Sequence, residues 1–509
     1  MKCVLEYLEK STKAYPQKIA VIENDRTLTY EELSNLSKIV ASSIIELSLT
    51  RKPIGIFMEK GINSLVSFFA SLYSGCFYSL INPDLPDSRI NSIYESLNPS
   101  VIITTQDLKD KASILFKKTK ILVFEDILNK EINENEINMR LSKQIDTDPV
   151  YCNFTSGSTG NPKGVIVSSR SIIDFIDEFT SLFNINKSDV IANQAPFDFD
   201  VSVKDIYSSI KVGATLLIVP KPLFSNPSKL LDYLVENKAT TLIWAVSALC
   251  LITTFHGLDY KVPERVNKVI FSGEVMPKKH LDIWMQHLKK AKFINVYGPT
   301  EITCNCTYHI IDRKRTYEEI PIGVPFKNER VFLLDSNNEE ITNDGVVGEI
   351  CVTGSCLSLG YINNEIENER HFEQNPLNRN YRELIYRTGD LAKIINNELY
   401  FQGRKDFQIK YMGHRIELEE IDNAINKLDG VIRSITIFSE EKNRLYSFYI
   451  GILDEVTIRE SLKSVLPSYM ISSKYIKIDE FPLTKNGKVD RAYLMSKALG
   501  GKVWTMKVL

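Results

Sequence analysis

The chain has 509 residues, 43% of them hydrophobic and 25% charged, with a formal net charge of -2. That length exceeds one hydrophobic core and predicts more than one domain. A charge so near zero gives no electrostatic case for a nucleic-acid or anionic-membrane partner.

Eight cysteines are scattered along the sequence. Cys304 and Cys306 stand too close, with no second pair or histidine spacing, to resemble a zinc site. Free buried thiols in a reducing cytosol are expected instead. Met1-Lys2-Cys3 opens into the charged amphipathic pattern Val4-Leu5-Glu6-Tyr7-Leu8, with no apolar secretory core. The most apolar stretch, Leu65 to Ile81, is broken by serines and Gly75, so it predicts a buried helix running into a strand rather than a membrane span. The expected location is the cytoplasm.

Residues 1–150 alternate helical patterns with short apolar runs. Leu28-Thr29-Tyr30-Glu31-Glu32-Leu33 reads as a strand end, a threonine cap and a first helical turn. Ile54 to Phe57 and Val101 to Ile103 read as strands buried on both faces. Lys109 to Arg140, rich in Lys, Glu and Asn, is expected to be surface and locally mobile. From residue 150 to about 330 the alternation continues, with strands at Ala214–Val219, Thr241–Trp244 and Lys268–Phe271, implying parallel sheets joined by crossover helices. Val331 to Tyr361 has shorter runs punctuated by glycine and predicts a small β subdomain. After Gly403-Arg404-Lys405-Asp406 the pattern changes again. Leu418, Ile421, Ile425 and Leu428 share one helical face, Gly430 suits the stop, and strands follow at Ile435–Phe438 and Tyr446–Ile450. No role is assigned to the tail from Gly500 to Leu509.

The organising motif is Thr155-Ser156-Gly157-Ser158-Thr159-Gly160-Asn161-Pro162-Lys163-Gly164. Its glycines bring backbone N–H groups close to a ligand and its hydroxyls add donors, which suits a polyphosphate; a flexible polar connector is the alternative. Phe271-Ser272-Gly273-Glu274 and Asn295-Val296-Tyr297-Gly298-Pro299-Thr300-Glu301 follow strands, where α/β sheets hold ligands, although ordinary turn chemistry also explains them. Asp200, amid bulky apolar residues, suits a substrate ammonium or a helix N-cap. Lys204 one turn on suits an i,i+4 partner of Asp200. Tyr386-Arg387-Thr388-Gly389-Asp390-Leu391 and Gly403 to Asp406 carry acids able to accept sugar hydroxyl protons. Thr484 to Arg491 is a turn displaying Lys488, by default a surface lysine on a hairpin.

In this order the blocks resemble the adenylate-forming superfamily, in particular the amino-acid adenylation domains of nonribosomal peptide synthetases and the D-alanine–carrier-protein ligases. The resemblance runs from Leu28 to Arg491 and includes Gly348-Glu349-Ile350, Gly403 to Glu420 and Leu466-Pro467-Ser468-Tyr469-Met470. It implies an α/β fold: a large N-terminal domain of parallel sheets over 1–403, a hinge at 404–406 centred on Asp406, and a smaller mobile α+β domain over 407–509. The implied reaction joins ATP and a carboxylate into an acyl-adenylate, then passes the acyl group to a phosphopantetheine thiol.

By the resemblance, Lys488 bridges the substrate carboxylate and α-phosphate, Thr300 meets the α-phosphate, and Glu301 meets Mg2+. Thr155, Ser156, Gly157, Ser158, Thr159, Gly160 and Lys163 hold the outer phosphates of ATP. Gly273, Glu274, Asn295, Tyr297 and Gly298 frame adenine, and Asp390 and Arg404 hold ribose. Lys410, Gly413 and Arg415 belong to the thiol channel that replaces Lys488 after rotation at Asp406. Asp200, Val201, Lys204, Trp244, Ile270, Ser272, Val296, Cys304 and Asn305 form the acid pocket. Asp200 favours an amino acid. Ser272 and Lys204 depart from the D-alanine ligases, which carry cysteine and an apolar residue there, so D-alanine and a polar amino acid both remain candidates. The chain ends soon after Arg491, so a separate carrier protein is the expected partner. An acyl- or aryl-CoA ligase and a non-catalytic nucleotide-binding relative are the alternatives.

Overall fold

The continuous apolar runs become the inner strands of two mostly parallel sheets. In the computed structural model, which describes residues 1–157, 161–484 and 489–500, Pro53–Phe57 and Val101–Thr104 pair in parallel and are buried along nearly their whole length. Contact clustering separates two units. The first comprises Met1–Asn82, Tyr94–Phe154 and Gly164–Lys405; the second comprises Pro83–Ile93, Thr155–Lys163 and the chain from Asp406 on.

The first unit holds a nine-stranded and a seven-stranded sheet. The middle of the larger sheet runs Lys292–Tyr297, Lys268–Ser272, Thr241–Ala245, Val190–Asn193 and Thr215–Ile218, each parallel to the next. All these strands therefore end at one edge, where open α/β sheets take ligands. Two apolar clusters flank the sheet. Ile243, Ile270, Ile294 and Val296 belong to one, and Leu242, Trp244, Val269, Phe271 and Phe293 to the other. This is the period-2 alternation of a strand covered on both sides.

Thr29 caps the helix Tyr30–Ile45 through a complete capping box with Glu32, satisfying two otherwise orphaned N–H groups. Leu65 to Ile81 forms the buried helix Ile62–Tyr73 and the strand Phe77–Leu80. Lys109 to Arg140 differs from the expected loose surface stretch. It folds into helices Lys109–Leu115, Phe124–Ile127 and Glu134–Lys143 and the strand Lys120–Val123. Ala112, Phe116, Phe124, Ile127 and Ile137 are buried there. A single apolar residue per turn among many charges anchors these short elements, and composition alone hides it. The expected β subdomain is a six-stranded sheet built on Val347–Gly354 and Leu384–Ile395. All eight cysteines are free, and every one except Cys250 is buried.

In the second unit, Gln408–Tyr411 and His414–Glu417 form a hairpin leading into the helix Leu418–Asn426. That helix buries Leu418, Ile421 and Ile425. Val431–Ser439, Arg444–Gly451 and Lys474–Lys477 make a three-stranded sheet. Within the same unit Arg89 and Glu420, both buried, form an ion pair between segments far apart in sequence.

Asp422 lies on the helix Leu418–Asn426 with one carboxyl oxygen buried and without a hydrogen-bond partner. Burial raises its pKa from the ordinary 3.8 to about 7, against the opposing pull of Thr436 and Arg491. The folded chain therefore keeps a proton that the unfolded chain loses above pH 3.8. Its stabilising contribution is full below that value and is lost as pH rises through about 7. Asp422→Asn is expected to raise the melting temperature more at about pH 8 than at about pH 5. A shift independent of pH, measured by thermal unfolding across that range, would contradict this.

Candidate functional site

Asp200 begins the helix Val201–Val212, and its side chain makes no capping hydrogen bond. The helix carries Lys204 inward on its first turn, fully buried. Its ammonium does not serve as an i,i+4 partner of Asp200. Lys204 Nζ donates to Asn305 Oδ1 at 2.8 Å and to Ser272 Oγ at 3.3 Å. Cys304 Sγ donates to the Asp200 carbonyl at 3.3 Å, which brings the 303–306 segment against the start of the helix. Thr303 and Cys304 adopt consecutive left-handed backbone conformations, with φ of 55° and 81°. Such geometry costs on the order of 1–3 kcal/mol per residue and collects at functional sites. Here it turns Asn305 toward Lys204.

Ile270, Ser272 and Val296 complete this side. Ile270 and Val296 share one core cluster with Cys304, and Ser272 ends the strand that begins at Lys268. Val201 starts the helix next to Asp200 and is half-buried. Trp244 is not brought to this group. It lies on the opposite face of the sheet, packed edge-on to Phe224 at 5.3 Å, with its indole N–H donated to the Ala192 carbonyl at 2.8 Å. Strand alternation places Ala245, the register partner of Ser272, on the pocket face instead. Counting in twos from Ile270 and Ser272 across the neighbouring strand would have found it.

Beside this group, the Tyr297-Gly298-Pro299 turn closes onto the 303–306 segment. A Cβ on Gly298 would stand 2.5 Å from Asn305 Cα and 2.8 Å from the Cys304 carbonyl. Gly298→Ala is therefore expected to push the two backbones apart and to cost on the order of 1–3 kcal/mol of stability together with most ligand affinity. Unchanged melting and nucleotide binding would contradict the close approach.

Tyr297 donates its hydroxyl to Asp390 Oδ2 at 2.5 Å, and Arg404 pairs with Asp390 Oδ1. Burial, and then the Asp390 charge, hold the Tyr297 hydroxyl well above its ordinary pKa, so it stays protonated. Asn295 donates to the Pro321 carbonyl at 2.9 Å. Gly273, at φ 96°, has no heavy atom within 4 Å of a notional Cβ, leaving open space beside half-buried Glu274. The residues expected to frame adenine and ribose thus meet around an open cradle.

Thr300 and Glu301 sit in a short 3-10 turn, Thr300–Ile302. Glu301 is fully buried, and its Oε1 accepts from the Tyr361 hydroxyl at 2.7 Å. Tyr361, unremarkable in sequence, is held by reciprocal bonds to the Asn368 side chain. A carboxylate and a hydroxyl are hard oxygen donors of the kind magnesium takes. Among the described residues no cluster of three or more His, Cys, Asp or Glu could hold a metal alone. A magnesium ion here would complete its shell with phosphate oxygens and water.

The remaining residues belong to the second unit. Thr155 Oγ1 donates to the Lys163 carbonyl at 3.4 Å, and Ser156 Oγ donates to the Arg415 carbonyl at 2.7 Å. Glu420 accepts a backbone hydrogen bond from Gly157. Lys163 is buried. Lys410 and Arg415 are register partners in a hairpin whose turn contains Gly413. Arg415 Nε donates to Gln408 Oε1 at 2.6 Å, and Asp406 accepts from the Gln408 N–H at 3.2 Å. Ser158, Thr159, Gly160 and Lys488 lie outside the described residues.

A family model described as AMP-binding enzyme matches residues 8–362. The chain belongs to this family of enzymes. It is 32% identical to a D-alanine–D-alanyl carrier protein ligase of Listeria monocytogenes, over 92% of this chain and 94% of that relative. It is 30% identical to a mycosubtilin synthase of Bacillus subtilis, over 97% of this chain. The chain spans only 19% of that synthase's length. The fold is shared with the adenylation domain AlmE of Vibrio cholerae, solved with glycyl-adenosine-5'-phosphate: the TM-score is 0.86 at 20% identity, covering 99% of this chain and 98% of that one. Neighbours of this kind have the large N-terminal and small C-terminal domains expected from the sequence. Among the described residues no helix is long and apolar enough to cross a membrane.

Proposed function

We propose that the protein is an AMP-forming ligase that activates an amino acid with ATP and passes it to the phosphopantetheine thiol of a separate carrier protein. The reading draws on the family match and on a carrier-protein ligase that is similar over nearly its whole length. The amino-acid part rests on one observation: Asp200 heads the helix that carries Lys204 to Ser272 and Asn305, while making no cap bond of its own. A carboxylate so positioned suits an α-ammonium group.

The chemistry follows from charge. A carboxylate attacking the α-phosphate of ATP brings two anions together, and cations or N–H donors aimed at the developing charge lower that barrier. In this reading Lys488 and Thr300 serve the α-phosphate, and Glu301 holds the magnesium that neutralises the triphosphate. The 155–163 loop cradles the outer phosphates, while Tyr297, Asp390 and Arg404 hold the nucleoside. Residues 1–403 form the nucleotide and acid domain. Asp406 is the hinge about which residues 407–509 turn, bringing Lys410, Gly413 and Arg415 to the thiol step. Dependence on ATP and on a phosphopantetheinylated carrier agrees with a cytoplasmic location.

The test is amino-acid-dependent exchange of pyrophosphate into ATP, followed by loading of a phosphopantetheinylated carrier. Exchange with amino acids of either hand supports the reading. Adenylation of fatty or aryl acids alone, with transfer to coenzyme A, would replace it with an acyl-CoA ligase. No adenylate from any acid would point to a non-catalytic relative.

A further inference from the structure

Lys204 offers more than a place in the pocket. Its side chain is 0% exposed, and so is Ile270; Val296 is 1% exposed. Its ammonium is tied to two neutral oxygens, those of Asn305 and Ser272. Among the described residues it has no carboxylate within ion-pair distance, although Asp205 acts on it from farther off. A lysine stem runs four methylenes long, and this one ends on hydrogen bonds to two other segments of the chain. It fills the depth beyond Asp200 rather than lining it.

We infer that Lys204 is the floor of the acid pocket and limits the substrate to an α-amino acid whose side chain has at most two non-hydrogen atoms, the glycine, alanine and serine class. This rests on the amino-acid reading above and narrows it. Asp200 takes the ammonium. The Lys204 stem, with Ile270 and Val296 beside it, removes the volume a longer side chain needs. Asn305 and Ser272 keep the stem extended: their bonds satisfy the ammonium, which would otherwise be a costly group to bury. Withdrawing it to admit a larger side chain would break both bonds at once. Each excess methylene in a closed apolar pocket is discriminated by about 10-fold or more.

The experiment is pyrophosphate exchange by the full chain with glycine, both alanines, both serines, L-leucine and L-glutamate, repeated in Lys204→Ala and Lys204→Met. The wild type is expected to favour the small amino acids over leucine and glutamate by about 10-fold or more. Lys204→Ala is expected to erase about 10-fold or more of the alanine-to-leucine preference by opening the floor. Lys204→Met, similar in length and uncharged, is expected to keep the ranking whatever its absolute rate. A wild-type preference for glutamate that Lys204→Met abolishes would overturn the inference, because the ammonium would then be a ligand for a substrate anion. So would an unchanged ranking in a folded Lys204→Ala. If that variant does not fold, wild-type turnover of leucine at the rate of alanine has the same force. Failure of the parent reading looks different: no amino acid would support exchange while another class of carboxylic acid does.

Discussion

Lys488→Ala is expected to lower amino-acid-dependent pyrophosphate exchange by about 100- to 1,000-fold, the cost of removing one donor aimed at developing charge. Turnover number should carry most of the loss, since the contact strengthens as the carboxylate meets the α-phosphate. Transfer from a pre-made aminoacyl-adenylate to the carrier should be affected far less, because in the proposed cycle a different loop serves that step. Measuring both half-reactions separates the roles. Full exchange in the variant would remove Lys488 from adenylation, and equal loss in both steps would argue for general damage to the second unit.

Asp200→Asn is expected to reduce kcat/KM for amino acids by about 30-fold or more, from the roughly 2–5 kcal/mol lost when one partner of a buried charge pair is neutralised. An asparagine keeps the size of the side chain, so the melting temperature should move little. The discriminating control is a des-amino acid of the same size, such as propionate against alanine. The wild type should reject it and the variant should reject it less. Equal rejection by both proteins would mean that Asp200 does not meet the ammonium.

How legible the fold was depends on the length scale of the signal. Local signals carried well. The Thr29–Glu32 capping box and the strand ends at Ser272 and Tyr297 were readable because cap chemistry and strand period are short-range. Trp244 shows the limit. An aromatic at a strand end looked like a pocket wall, but the alternating faces of Thr241–Ala245 turn it to the far side and offer Ala245. The partners of Lys204 come from two other segments, and Tyr361 reaches Glu301 from 60 residues away. The Arg89–Glu420 pair spans 331 residues. No local pattern announces such pairings, because burial in the finished fold creates them. The resemblance named the pocket positions; only coordinates could say which side chains in it are already spoken for.

Asp390 carries one further consequence. Both of its oxygens already have a protein donor, Tyr297 on one and Arg404 on the other. An enzyme that must part with its nucleotide at every cycle spends time vacant, and a lone sunken anion would then make departure uphill. With two resident donors waiting, the sugar hydroxyls exchange one set of bonds for another on arrival and hand them back on leaving. The arrangement trades some grip for ease of release, which is a sensible bargain when the next half-reaction cannot begin until the spent nucleotide is gone.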